Sequence, residues 1–493
     1  MPGIIPHHQK PLRPNMKKRQ ITVLLPTMII LLAALLAGAL AGCTPPTPTP
    51  TATPSPTSSP TPTLTPTVTP TSTNVPDPPT LPLDLPDVTP EVFMKLSDQN
   101  SYGYTHINPD GNRVLTGSLT INTQPPVIFT VEGKPRWVVG APTDTGSVWA
   151  VVLADGTTQG FVEITGVWNK VSLTPAQLPA GMPPLLRVER GNPYLVTAPL
   201  PNASPFTHPI VLGQSNRMVF VDESGDVVLW NGEETGRLAL NALPDARILQ
   251  DAQENVLLLT GATTVYAHGV LGDKIEASTV HLLRTSPTLE ISTTITIDSG
   301  KVIEGIAPIW ADIDGNGSRE ILITVADGLE GAQLVAYRQD GTLFAASEPI
   351  GRGYRWRNQM AVAPLLGTDE NIVVDVLTPH IGGLVEYFRL RGDSLDLLTS
   401  IQEYSSHQIG SRNLDLAIIG RFDPRLNKLI AMVPTQNYRE LHGLNLNLSG
   451  TTVLWRLELP SALSTNLSGF TFPDGTAAVG FGLENGEIRF YLP

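Results

Sequence analysis

A single cysteine, Cys43, serves all 493 residues, so no disulfide framework can hold this chain together from within. Basic residues are also scarce: 32 Lys and Arg stand against 45 Asp and Glu, a formal charge of −13. Nucleic-acid binding needs clustered cations that displace counterions from phosphates, so nucleic acid is excluded as a partner. Familiar catalytic signatures are missing. There is no HExxH, no GxSxG nucleophile elbow and no P-loop, and the nine histidines are scattered. No long stretch repeats its apolar residues every 3.6 positions, which speaks against a helical fold.

What is present begins at the N-terminus. Lys10, Arg13, Lys17, Lys18 and Arg19 form a cationic region, followed by the apolar run "ITVLLPTMIILLAALLAGAL" and then by Leu40, Ala41, Gly42 and Cys43. Small residues after such a run fit a secretory signal. The stretch resembles the lipobox of bacterial lipoproteins. That resemblance implies cleavage after residue 42, a diacylglyceryl group on Cys43 and a cell-membrane anchor facing the extracytoplasmic side. An uncleaved transmembrane helix is the other reading, since the run nearly spans a bilayer. Either way the rest of the chain lies outside the cytoplasm. Five cationic and no acidic side chains leave with residues 1–42, which takes the charge from −13 to −18. Acyl chains rather than charge would then hold the protein at the membrane.

Residues 43–88 read as the lipidated cysteine and a disordered linker. "TPPTPTPTATPSPTSSPTPTLTPTVTPTSTNVP" offers few apolar groups and few backbone donors, so it builds no core. As polyproline II it reaches roughly 130 Å when fully stretched.

From residue 89 to 493 the pattern changes to short β-branched runs separated by Gly, Asp, Asn and Pro, such as "PRWVVGAP", "SVWAVVLADG" and "NVLLLTGATTVYAHG". These predict strands and an all-β body. Units begin near Val127, Leu185, Ala246, Ile306, Ala361, Leu416 and Gly469, at spacings of 58, 61, 60, 55, 55 and 53. That period fits a seven-bladed β-propeller of four-stranded antiparallel blades, with six or eight blades as neighbouring solutions. "RNQMAVAPLL" at 357–366 matches "RNLDLAIIGR" at 412–421. The last unit holds only three strands, so "RVLTGSLTIN" at 113–122 is expected to supply the fourth and close the ring, removing exposed edges. The body is expected to be a monomer.

One loop, "ADIDGNGSREILI", alternates oxygen-bearing residues with Ile313 and glycines. Asp312, Asp314, Asn316, Ser318 and Glu320 stand at alternate positions, as a tight Ca²⁺ loop requires. Ile323 occupies the place where an EF-hand needs a bidentate acid, and the flanks read as strand. A metal-free hairpin turn is the competing reading. The loop is similar to the calcium loop of FG-GAP/VCBS repeats, as in integrin α-chain propellers. The resemblance implies side-chain ligation by Asp312, Asp314, Asn316 and Glu320, a backbone carbonyl from Ser318 and a structural Ca²⁺. Sister turns such as "ERGNPYL" and "GTDENIV" lack the spaced acids.

In such blades the connections between sheets and the loops between second and third strands gather on the face opposite the calcium loop. This puts Arg355, Arg357, Asn358, His380, His407, Arg412 and Asn413 together as candidate ligand-binding residues, since arginine and aromatic groups grip carboxylates, phosphates and sugar faces. Capping of strand ends is the plainer role for the same residues. Function is expected to be non-catalytic binding of a surface protein or glycan. The alternatives are a carbohydrate-active hydrolase or lyase, which needs converging carboxylates or a His-metal cluster, and a purely structural surface protein.

Overall fold

The computed structural model describes residues 85–87 and 100–493 except 267 and 424. The signal segment, Cys43 and nearly all of the linker lie outside the described residues. Two compact units divide the chain, 1–68 and 69–493, and everything described belongs to the second. Among the described residues there are 33 strands and no α-helix, and no helix long and apolar enough to cross a membrane.

The strands form eight antiparallel sheets along the chain. Sheet 1 comprises Pro135–Pro142, Gly146–Leu153, Thr158–Ile164 and Val167–Val171. Sheet 2 is Leu186–Glu189 with Asn192–Leu195, joined by Ser101–Gly103 from upstream. Sheets 3, 4 and 5 lie within residues 210–239, 249–296 and 302–346. Sheets 6 and 7 lie within 357–402 and 418–458. A single parallel pair, Ala346 with Ser394, bridges sheets 5 and 6 at their last strands. Sheet 8 contains Ser468–Thr471, Ala477–Gly482 and Glu487–Tyr491, and Val127–Thr130 pairs antiparallel with its last strand.

Each neighbouring pair of sheets encloses its own apolar cluster. Leu186 of sheet 2 packs with Val139 of sheet 1, Val211 of sheet 3 with Leu185, and Val256 of sheet 4 with Val219 of sheet 3. The series continues through Trp310 with Leu257, Val362 with Leu322, Ala431 with Ala361, and Val479 with Met432. It ends where Phe490 of sheet 8 meets Val151 of sheet 1. The cycle of contacts closes, which makes the body β-propeller-like. Burying one such side chain is worth about 1.5–3 kcal/mol.

This packing explains the sequence pattern. Inner and middle strands are covered on both faces, so "RNQMAVA" is buried at every position and reads as a continuous run. Outermost strands have one wet face, and Glu234–Ala239 accordingly alternates exposed and half-buried residues. Gly140 is needed for close approach: a Cβ there would stand 2.5 Å from the Trp149 ring and 2.7 Å from Phe470.

Two expectations change. The closing strand is Val127–Thr130, not 113–122. Val114–Ser118 runs parallel to Ile418–Arg421 of sheet 7, and Ser118 N donates to the Gly475 carbonyl of sheet 8. The period also hides one sheet: the unit starting at Leu185 contains both sheet 2 and sheet 3, because sheet 2 has only two local strands and takes its third from residues 101–103. At the end of the expected linker, Asp87 forms a β-bridge with Lys170.

The segment 104–113 occupies the centre of the ring. Its Thr105 carbonyl accepts from Asn466 of sheet 8, and its Pro109 and Asp110 carbonyls accept from Gln250 and Trp310 of sheets 4 and 5. Asn112 exchanges two 3.0 Å hydrogen bonds with the Val362 backbone, and Arg113 meets buried Asp415 at 2.6 Å. A segment whose hydrogen bonds reach sheets 4, 5, 6 and 8 lies inside the ring.

Candidate functional site

The loop of sheet 5 between Ile309–Ala311 and Glu320–Asp327 brings three carboxylates together. One ligand oxygen each from Asp312, Asp314 and Glu320 lies within 4.8 Å of the others. Backbone amides organise the loop: Gly315 and Gly317 donate to the two oxygens of Asp312 at 2.8 Å, and Ile313 N donates to Glu320 at 2.9 Å. Gly315 and Gly317 take φ of 76° and 89°, which lets so tight a turn form. Glu320 is buried, and this burial, followed by the charges of Asp314 and Asp312, raises its carboxyl pKa. The donor set is all oxygen and lacks a cation, which fits a hard ion. Asn316 is placed differently from the three acids: its Oδ1 accepts from Ser318 N at 2.7 Å and its Nδ2 donates to Asp314. These contacts shape the loop.

The expected ligand-binding residues mostly face inward. Arg357 is 5 % exposed and pairs with Asp375 at 2.8 Å and Glu386 at 2.6 Å, with its guanidinium over Phe388. Buried Asn358 donates to Ser406, and the buried Asn413 side chain accepts from Asp415 N. These are internal fasteners, because a strand covered on both faces has no free side. Arg412 spans Asp245 at 2.7 Å and Asp273 at 2.8 Å, and lies over Phe206. Only Arg355 is fully exposed among the seven, with Nη2 donating to the Arg352 carbonyl.

His380 and His407 do meet. His407 Nε2 must donate to the Ser411 carbonyl at 2.6 Å, so its Nδ1 accepts from His380 Nε2 at 2.7 Å. Burial depresses His407 to about 3 and His380 to about 4, and Trp356 stacks on His380. At neutral pH this pair is uncharged. The axial histidines behave alike: His106 and His208 stack at 6.2 Å, and burial lowers them to about 3 and about 4. Among the described residues no histidine belongs to a cluster fit for a metal.

A concave site does lie on the expected face, between sheets 6 and 7. The cleft holds about 680 Å³ and is lined by Gln402, Tyr404, Asn437, Glu440, His442 and Arg456, among others. Strand alternation puts Glu440 and His442 on one side of Glu440–Asn447. Glu440 accepts from His442 Nε2 at 2.8 Å, so His442 Nδ1 accepts from the Tyr404 hydroxyl at 2.8 Å. Burial pushes the Tyr404 phenol up to about 12 and lowers His442. The relay holds these side chains in fixed rotamers at the cleft wall. Glu403 and Tyr438, at φ of 77° and 60°, mark strained turns beside it. Tyr404 follows the last strand of sheet 6 while Glu440 and His442 belong to sheet 7, so no short stretch of sequence contains the relay.

No family model matches this chain, and no curated protein does. Solved structures that are similar include a europium-containing methanol dehydrogenase, at 11% identity and a TM-score of 0.48, covering 77% of this chain and 89% of that one. A chain of a mitotic checkpoint complex covers 75% and 96% at 11% identity and 0.40. A chain from the structure of BBS1N in complex with ARL6DN covers 81% and 97% at 11% and 0.38.

Proposed function

We propose that the protein is an extracytoplasmic lipoprotein, anchored through Cys43 and held off the membrane by its Thr/Pro-rich linker, whose propeller is a non-catalytic glycan-binding module. Counting each sheet as a blade, the ring has eight. The observation that carries the binding reading is the cleft between sheets 6 and 7. Its wall offers carboxamide, carboxylate, guanidinium and imidazole groups, and hydroxyl-rich ligands take up such mixed donors and acceptors. A Ca²⁺ ion held by Asp312, Asp314 and Glu320 stiffens sheet 5 and plays no part in the cleft. The internal pairing of Arg357 and Arg412 favours a purely structural protein at those positions, and the cleft is what separates the two readings.

A glycan array probed with the full-length chain in detergent tests this. Binding to a defined set of glycans is expected, and Arg456→Ala or Gln402→Ala, both at exposed positions, should weaken it about five- to thirtyfold. Equal binding by both variants would remove the cleft from consideration. Mass spectrometry of the N-terminal peptide checks the anchor, which predicts a diacylglyceryl adduct on Cys43.

A further inference from the structure

We propose a second site, for a primary ammonium group, beneath Tyr354 and between the connection at 261–278 of sheet 4 and residues 303–305 of sheet 5. Ala277 and Ile303 exchange backbone hydrogen bonds across an antiparallel bridge. The next residues, Glu276 and Glu304, therefore lie on the same side of that bridge. They are 2 % and 1 % exposed, and Tyr266 beside them is 3 % exposed. Each leaves one buried polar atom without a partner: Glu276 Oε2, Glu304 Oε2 and the Tyr266 hydroxyl. Such orphans cost about 1–3 kcal/mol each when nothing meets them, and more for charged groups.

The surroundings supply little positive charge. Glu304 Oε1 is 2.6 Å from His268 Nδ1, while no Lys or Arg among the described residues pairs with either glutamate. Arg412 is committed to Asp245 and Asp273, and Lys301 to Glu330 at 2.7 Å. Burial first, then the neighbouring Glu304 carboxylate, pushes Glu276 up to about 9. Two opposed buried carboxylates either retain a proton or take a cation.

Three orphan oxygens suit three N–H donors. Rings of Tyr266 and Tyr354, 4.8 Å apart, add aromatic faces that attract cations. Tyr354 is 59 % exposed and its ring lies 4.8 Å from that of Tyr266, at the solvent side of the site.

Calorimetric titration of the full-length chain with n-butylammonium chloride, against equal sodium chloride, tests the site. Saturable binding is expected, at least tenfold tighter than tetramethylammonium, which has no N–H, and none is expected for n-butanol. Glu276→Gln and Glu304→Gln should each weaken binding about ten- to a hundredfold. Tyr354→Ala, at an exposed position, should weaken it about two- to fivefold. No heat beyond the salt control, or Gln variants that bind like the parent, would overturn the proposal. Should those variants misfold, equal affinity for butylammonium and tetramethylammonium still overturns it. A stronger response to Zn²⁺ or Mn²⁺ at this site does so too.

Discussion

Sheet 5 and sheet 6 each gather carboxylates, but they neutralise them differently. In sheet 6, Asp375 and Glu386 are buried side by side and share the guanidinium of Arg357, which the same sheet supplies. In the sheet 5 loop, Asp312, Asp314 and Glu320 converge with backbone amides and the Asn316 carboxamide as partners, and among the described residues no Lys or Arg pairs with them. A charge cluster that contains its own cation is largely neutralised when the chain folds. One that lacks it has capacity left for an ion from solution. The distinction sorts the polar residues of this protein better than their exposure or their place in the repeat.

The largest expected effect comes from breaking the neutralised cluster. Arg357→Ala strands two buried carboxylates and should cost about 3–5 kcal/mol in denaturant unfolding. A loss below about 1 kcal/mol would mean that water or a proton already does the work of the guanidinium, and the contrast with sheet 5 would fail. Next comes the open cluster. Chelator added to Ca²⁺-saturated protein should lower its stability by about 2.7 kcal/mol if the ion was present at a hundred times its dissociation constant. In Asp312→Asn the melting temperature should no longer respond to Ca²⁺. A melting curve of the parent indifferent to chelator would return the loop to an ordinary hairpin. The smallest effect sharpens the comparison from the solvent side: Arg425, 70% exposed, pairs with Asp423 at 2.6 Å, and Arg425→Ala should leave the denaturant midpoint nearly unchanged.

Local patterns were readable where local physics decides them. "RMVFVDESGDVVLWNG" contains the strands Met218–Val221 and Asp226–Trp230 around a polar turn, because alternation and turn residues act over a few positions. The alternating acids at 312–320 were legible for the same reason. The number of sheets was not, because sheet 2 borrows Ser101–Gly103 across a long stretch of chain, and a period measured along the sequence cannot register a strand from elsewhere. The repeated "RN" pairs misled in another way. Arg357 looks like a surface gripping residue until Asp375 and Glu386 are seen beside it, and residue type alone does not reveal which side of a blade a connection meets.

Composition and spacing determined by themselves that the body is all-β and built from repeated sheets, that no disulfide contributes, and that one loop carries the spacing of a cation site. These follow from short-range rules: side-chain alternation, turn chemistry and the count of available groups. Only the tertiary structure decided which polar groups are already paired, that residues 104–113 lie inside the ring, and that Glu276 and Glu304 come to lie side by side next to the Ala277–Ile303 bridge. Each of those outcomes depends on partners far away along the chain, and pairing energies between distant residues leave no periodic mark in the order of amino acids.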